Sequence, residues 1–452
     1  MKSHSRNTDI CLLFIAMASA AFCIYAFFPG YIYSDVFDQY MQAVTSTYTD
    51  WHPPMLALMW RAQYLVLGNG NWFYSINFAV AAISLFVLVK RLPLYASVPV
   101  FLMVFFSPLF MGQLGFPAKD VVLSVLLLTI VALLSTIDNN RGALGGEWVL
   151  FLLIVTIAVA LLSRTNAPFI VAPIIVYLTM GWRLSIRSVI SAALITLIAI
   201  GVSGPINHNI FRATELRPVT SLQIFDLGGI SYFTGRNHFP GPWTAKERTE
   251  IEDDCYNPLS WDNYAWGECG FVNQKARKQN LTTAWVQAIY ENPVAYIKHR
   301  IMYFNEFLRF VGDFDAFRYV SWTEPGYQNQ KFPGDYTIHK SYVELMGAHP
   351  RQPWHLPYIW LALSAGLLIV SAPCRNADAK LINCLSFASL AYIGAYLLVG
   401  VASDFRYVLP SSYLIIACFL LRWGRGEAIG TRATVISGGL VSISIIAVGA
   451  LL

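Results

Sequence analysis

Runs of mostly apolar residues recur along the chain at 10–29, 72–89, 92–111, 121–137, 148–163, 167–182, 188–204, 356–372, 381–400, 407–421 and 433–451. Most approach the ~20 residues a helix needs to cross a hydrocarbon core of about 30 Å. The pattern predicts an all-α polytopic membrane protein of about eleven transmembrane helices. A cleaved leader is the competing reading of the first run, which has a basic start at Lys2 and Arg6, but the run is long for one. The stretch from Arg164 to Pro168 separates the fifth and sixth runs, with one long kinked helix as the alternative.

The longest polar interval, 205–355, is rich in Trp, Tyr, Asn, Gly and Pro and predicts an extramembrane domain of mixed structure. The chain therefore divides into an N-terminal transmembrane module (1–204) with a first outer loop at 30–71, a loop domain (205–355) and C-terminal transmembrane helices (356–452). Within the domain, Tyr296 to Gly312 reads as an amphipathic helix. Ile297, Ile301, Phe304, Leu308 and Val311 share one face, opposite Lys298, Arg300, Glu306 and Arg309. Pro53 to Gly68 reads as a short helix begun by proline and lying along the outer surface.

Composition agrees with this division. The 452 residues are 56% hydrophobic and 13% charged, and a mean hydropathy of +0.51 is too apolar for a soluble globular protein. The net charge of +5 carries meaning only when split by side. With the N-terminus cytoplasmic, every short inner loop holds Lys or Arg: Lys90 and Arg91, Arg141, Arg183 and Arg187, Arg375 and Lys380, then Arg422, Arg425 and Arg432. That bias orients the chain N-terminus in. Most of the seven cysteines lie in apolar runs, whereas Cys255 and Cys269 sit together in the loop domain, either disulfide-bonded or as two thiols.

The outer loops hold the candidate chemistry. The first contains Asp35, Asp38, Asp50 and His52; the second ends in Lys119 and Asp120; the third carries Arg164; the last carries Asp404 and Arg406. Charges at membrane depth face a cavity, pair with one another, or do chemistry. Four loops delivering both signs to one side predict a polar cavity whose cations suit a phosphate and whose carboxylates suit proton removal. Each residue also has a plainer reading: helix caps for Asp35 and Asp38, a turn for Asp50, an interface hydrogen bond for His52, a helix-end pair for Lys119 and Asp120, snorkelling anchors for Arg164 and Arg406. No phosphate-binding Gly-rich loop, HExxH, paired CxxC or GxSxG occurs, and no inner loop is large enough for a nucleotide-binding domain.

The acidic residues after the first run, followed by Asp50-Trp51-His52-Pro53-Pro54-Met55, resemble the first outer loop of polytopic GT-C glycosyltransferases. Protein O-mannosyltransferases carry a similar Asp-x-His-Pro-Pro-Leu element, and lipid A aminoarabinose transferases a related Pro-Pro element and a large loop after the seventh span. Bacterial O-antigen glucosyltransferases are similar in size and span number. The resemblance implies a GT-C-like fold and inverting transfer of a sugar, glucose foremost, from a polyprenyl-phosphate donor to an outer-face acceptor such as O-antigen or lipopolysaccharide. It implies Asp35 as general base with Asp38 as rival, Asp120 as a second acidic residue that orients the acceptor or binds a metal, and Lys119, Arg164 and Arg406 on the donor phosphate. Arg406, Tyr407 and Pro410 form an Arg-Tyr-x-x-Pro context similar to that of these enzymes, and Asp50, His52, Asp404 and Tyr407 would shape the site. A divalent metal near Asp35, Asp120 and His52 stays open, and no cofactor is demanded.

The implied setting is a bacterial inner membrane, with membrane lipids around the chain, a separate donor synthase and flippase, and no nucleic-acid partner. Trp243, Trp261, Trp266 and Trp322 are candidates for stacking on sugar rings or for core packing. The competing classes are a transporter or flippase, which favours mid-span charges and internal repeats, and a polymerase or ligase of lipid-linked glycans.

Overall fold

The computed structural model describes residues 6–137, 146–312, 337–347, 352–374 and 376–423. The predicted run at 433–451, Trp322, and the inner-loop residues Lys2, Arg141, Arg375, Arg425 and Arg432 lie outside them. The described residues are helical, with two isolated β-bridges and no strand.

The predicted runs within this part each lie on a helix: α1 (Arg6–Ala26), α4 (Phe73–Val89), α5 (Leu94–Phe105), α7 (Lys119–Ile137), α8 (Gly146–Ser163), α9 (Pro168–Met180), α10 (Ile186–Pro205), α18 (Pro357–Ser371), α19 (Ala377–Val399) and α20 (Leu409–Trp423). Five, namely α1, α7, α8, α10 with its following turn, and α19, are long and apolar enough to cross a membrane. The break at Arg164–Pro168 separates two helices, as Pro168 opens α9 in a position where its missing N–H costs no bond. α7 packs against α4, α8 and α20, and α19 against α9, α18 and α20. α7 is largely buried and α10 hardly at all. Exposed Leu194, Leu197 and Ile198 give α10 an apolar outer face suited to lipid.

Between α1 and α4 the chain folds back as α2 (Ser34–Thr45) and α3 (Met55–Leu67), the latter starting directly after Pro53 and Pro54. Arg61 of α3 donates to the carbonyls of Ala43 and Val44, which at the end of α2 have no further helical N–H to accept from. Gly30, at φ +97°, lets the chain turn close beside the Gly115 carbonyl, where a Cβ would stand 2.9 Å from that oxygen.

Where mixed structure is expected for the loop domain, its described residues form helices and no strand: α11 (Val219–Thr234), α14 (Gly270–Ala276), α15 (Leu281–Glu291), α16 (Pro293–Leu308) and α17 (Thr337–Gly347), with the single turns α12 (Ala245–Thr249) and α13 (Asp262–Ala265). The single turn α6 (Met111–Leu114) precedes α7. The two faces of α16 do not sort into buried apolar and exposed polar residues. Ile297 is 53% exposed, whereas Arg300 is buried at 3% beside buried His299 and Tyr303. Burying them lets Arg300 and His299 meet Asp226 of α11. Cys255 and Cys269 are joined by a disulfide.

Candidate functional site

Charged side chains from the four loops that the sequence pattern assigns to one side converge at the ends of α2, α7, α8 and α20. Asp35 lies in the first turn of α2, where the helix dipole favours an anion. Neither it nor Ser34 acts as a cap: Tyr33 holds the N-cap position, with no side-chain cap bond. The Asp35 carboxylate instead accepts from the Tyr33 hydroxyl at 3.2 Å and from Arg406 Nη2 at 3.4 Å. His52 Nε2 lies 3.9 Å away. A third of the Asp35 side chain remains open. Asp38, one turn on, is exposed and accepts from Gln42 Nε2 at 2.7 Å.

His52 is buried, with Nδ1 2.5 Å from Lys119 Nζ. Burial, together with the nearby Lys119 and Arg164 charges, holds its imidazole well below the usual histidine range. An ammonium only donates, so Nδ1 of the neutral ring accepts and the ring proton sits on Nε2, facing Asp35. Lys119, His52 and Asp35 thus form an ordered row of donor, bridge and carboxylate.

Asp120 follows Lys119 at the start of α7, is fully buried, and forms an ion pair with buried Arg164. Arg406 Nε approaches Asp120 at 3.8 Å and Asp404 at 2.8 Å. Both guanidiniums lie against the Tyr407 ring, with Arg164 4.6 Å and Arg406 5.3 Å from its centroid. Tyr33 covers Arg406 at 4.8 Å. Desolvation would push the Asp404 carboxyl up to about 7. More than a third of that side chain is open, however, and Arg406 bonds it directly, so the ion pair prevails and Asp404 is the anion that fixes Arg406. Three cations, Lys119, Arg164 and Arg406, thus balance three carboxylates, Asp35, Asp120 and Asp404.

Asp50 does not join this cluster. Its carboxylate takes the Leu216 amide at 2.5 Å and His208 Nε2 at 3.1 Å, beside the bridge between Thr49 and Thr214. It fastens the first outer loop to the start of the loop domain. Two neighbours from the loop domain had no signal in the pattern. Asp262 lies within electrostatic reach of Asp35, and partial desolvation raises its carboxyl, opposed by Ser260 and reinforced by Asp35. Buried Arg309, which the helical wheel put on a polar face, acts on Asp404. Of the tryptophans, Trp243 and Trp261 are buried and Trp266 is exposed. Trp261 packs 5.8 Å from Trp51.

No group of three His, Cys, Asp or Glu side chains among the described residues is arranged to hold a metal ion. Of the three metal candidates, Asp120 is committed to Arg164, and His52 turns Nδ1 toward an ammonium. No known protein family, curated protein or solved structure matches the chain.

Proposed function

We propose that this chain is a polytopic GT-C-type glycosyltransferase with about eleven spans and its active site on the outer face of a bacterial inner membrane. It transfers a sugar, glucose foremost, from polyprenyl phosphate to an outer-face glycan such as O-antigen. The observation that carries the reading is the partly open Asp35 carboxylate held between His52 and Arg406, with Lys119 behind it. Asp35 accepts the acceptor hydroxyl proton as the oxygen attacks the anomeric carbon from the face opposite the phosphate. The bond to the phosphate oxygen breaks, configuration inverts, and the departing phosphate carries the charge that Lys119 and Arg406 neutralise.

The division of labour follows access. Asp35 suits the base better than Asp38, whose carboxylate is engaged by Gln42. Asp120, without solvent access, serves as counter-ion to Arg164, and that pair supports Tyr407 under Arg406. The charges sit at helix ends, and the rest of α7 carries none, which favours a surface transferase over a mid-membrane transport path.

The test follows labelled sugar from polyprenyl phosphate to a polysaccharide acceptor in membranes with matched protein levels. Asp35→Asn is expected to lower transfer by about 10²- to 10⁴-fold, the range for removing a general base, and Asp38→Asn by much less. Wild-type transfer with an undiminished Asp35→Asn rate would sink the assignment of the base.

A further inference from the structure

The loop domain holds a second buried charge pair that the transfer chemistry does not use. Asp226 of α11 forms an ion pair with Arg300 of α16, both buried. The Asp226 carboxylate also meets Trp285 Nε1 at 2.8 Å and His299 Nε2 at 3.2 Å. Burial lowers the His299 pKa, opposed by Asp226, so the neutral ring donates from Nε2 and accepts the Tyr256 hydroxyl at Nδ1, 2.9 Å away. The Asp226 carboxylate thus supplies the counter-charge that a buried arginine requires, while Arg300 Nε has no hydrogen-bond partner among the described residues.

This network is aimed at one short piece of chain. Arg300 Nη1 donates to the Gly400 carbonyl at 2.7 Å, and the Tyr303 hydroxyl to the Ala402 carbonyl at 3.0 Å. The Trp261 amide donates to Val401 at 2.9 Å, Ser403 Oγ donates to the Leu259 carbonyl at 2.7 Å, and Ser260 bridges Ala402. Only glycine fits at 400, because a Cβ there would stand 2.0 Å from the Tyr303 hydroxyl. Residues 400–403 are thus gripped one after another, and the next charged residues along the chain are Asp404 and Arg406.

We infer that Asp226, Arg300 and Tyr303 are positioning residues: through the 400–403 segment the loop domain sets the location of the Asp404–Arg406 pair in the site. The link to phosphate rests on the glycosyltransferase reading; the clamp itself does not. Two arginine geometries are coupled in series. The guanidinium of Arg300 spans a carboxylate and a backbone carbonyl, and the segment it fixes carries the guanidinium of Arg406.

The experiment uses the full chain in lipid nanodiscs. One variant combines Asp226→Leu with Arg300→Met, removing both charges so that neither is left unpaired; the second is Tyr303→Phe. Amide hydrogen exchange over 400–406 is expected to quicken about tenfold in the double variant and less in Tyr303→Phe, while exchange in α7 stays as in wild type. Polyprenyl phosphate serves as the probe. Its dissociation constant should rise about tenfold or more, as expected for a phosphate-binding group displaced by ~1 Å, with the acceptor KM unchanged. Adding Arg406→Gln to the double variant should weaken binding no further than Arg406→Gln alone. Unchanged exchange over 400–406 in both variants would overturn the inference. Faster exchange in a protein whose wild type ignores polyprenyl phosphate would uphold the clamp and instead refute the glycosyltransferase reading.

Discussion

Replacing Asp120 by asparagine takes one charge from a buried set of three cations and three carboxylates and leaves the cations in excess. Arg164, in contact with Asp120 and almost wholly buried, loses its only carboxylate partner among the described contacts, and Arg406 loses one at 3.8 Å. Stranding one member of a buried pair costs about 3–5 kcal/mol, and Arg164→Met, which strands Asp120, should cost a similar amount. If the residues acted independently, the double variant Asp120→Leu with Arg164→Met would lose about 6–10 kcal/mol on that range. The pair is coupled, so the double variant should lose only the approach of Asp120 to Arg406 at 3.8 Å and what Arg164 contributes elsewhere. The latter is chiefly its stacking on Tyr407 at 4.6 Å, worth about 0.5–2 kcal/mol. Unfolding of the purified protein in detergent, followed by tryptophan fluorescence, should therefore rank the double variant above both single variants. Losses that simply add would show that Asp120 and Arg164 are not a desolvated pair and would refute the argument.

Three further outcomes follow from the same geometry. His52 is neutral when folded, so its contribution to stability is present above the unfolded pKa of about 6.5 and is lost as pH falls below it, at up to about 1.4 kcal/mol per pH unit. Thermal unfolding from pH 8 to pH 5 should show a shallower slope for His52→Gln than for wild type, with buried His299 contributing equally to both; equal slopes would contradict a neutral His52. Reducing the disulfide should cost about 2–4 kcal/mol, as for loops of this size, and a melting temperature unmoved by reductant would disprove it. Asp50→Ala removes the bond to the solvent-accessible Leu216 amide and the contact with His208, and should lower stability by about 0.5–1.5 kcal/mol, read in the same unfolding assay with His208→Ala as the companion variant.

The helices were legible because a run of apolar residues long enough for a bilayer has few other folds open to it, and Pro53-Pro54 and Pro168 mark helix starts on their own. The convergence of Asp35, His52, Lys119, Arg164 and Arg406 was legible from the alternation of apolar runs: helices that run back and forth place alternate connections at the same end. Contacts set by tertiary pairing were not. Asp50 reads locally as a turn beside His52, yet its partner His208 stands 158 residues away. The wheel of α16 put Arg300 on the polar face; Asp226, far back on α11, brings it inside by supplying the buried counter-charge. Asp262 and Arg309 lie among many polar residues of the loop domain, and only the docking of that domain brings them near Asp35 and Asp404.

The contact between Asp35 and Arg406 joins residues 371 positions apart, which makes the site a record of the order of synthesis. At about 5–20 residues per second, Asp35 waits roughly 20–75 s before its guanidinium partner is translated. The pair Asp120 and Arg164 forms early, within the N-terminal module, while Asp404 and Arg406 arrive together and bring no net charge. Lys119, Asp120 and Arg164 together add one positive charge, which offsets Asp35, and Asp404 with Arg406 adds none, so the cluster does not accumulate a large unbalanced charge as it is made. A chain stopped before Arg406 would carry the carboxylate and the imidazole but not the guanidinium on the other side of the carboxylate, so the cluster closes only when the segment between α19 and α20 has been made.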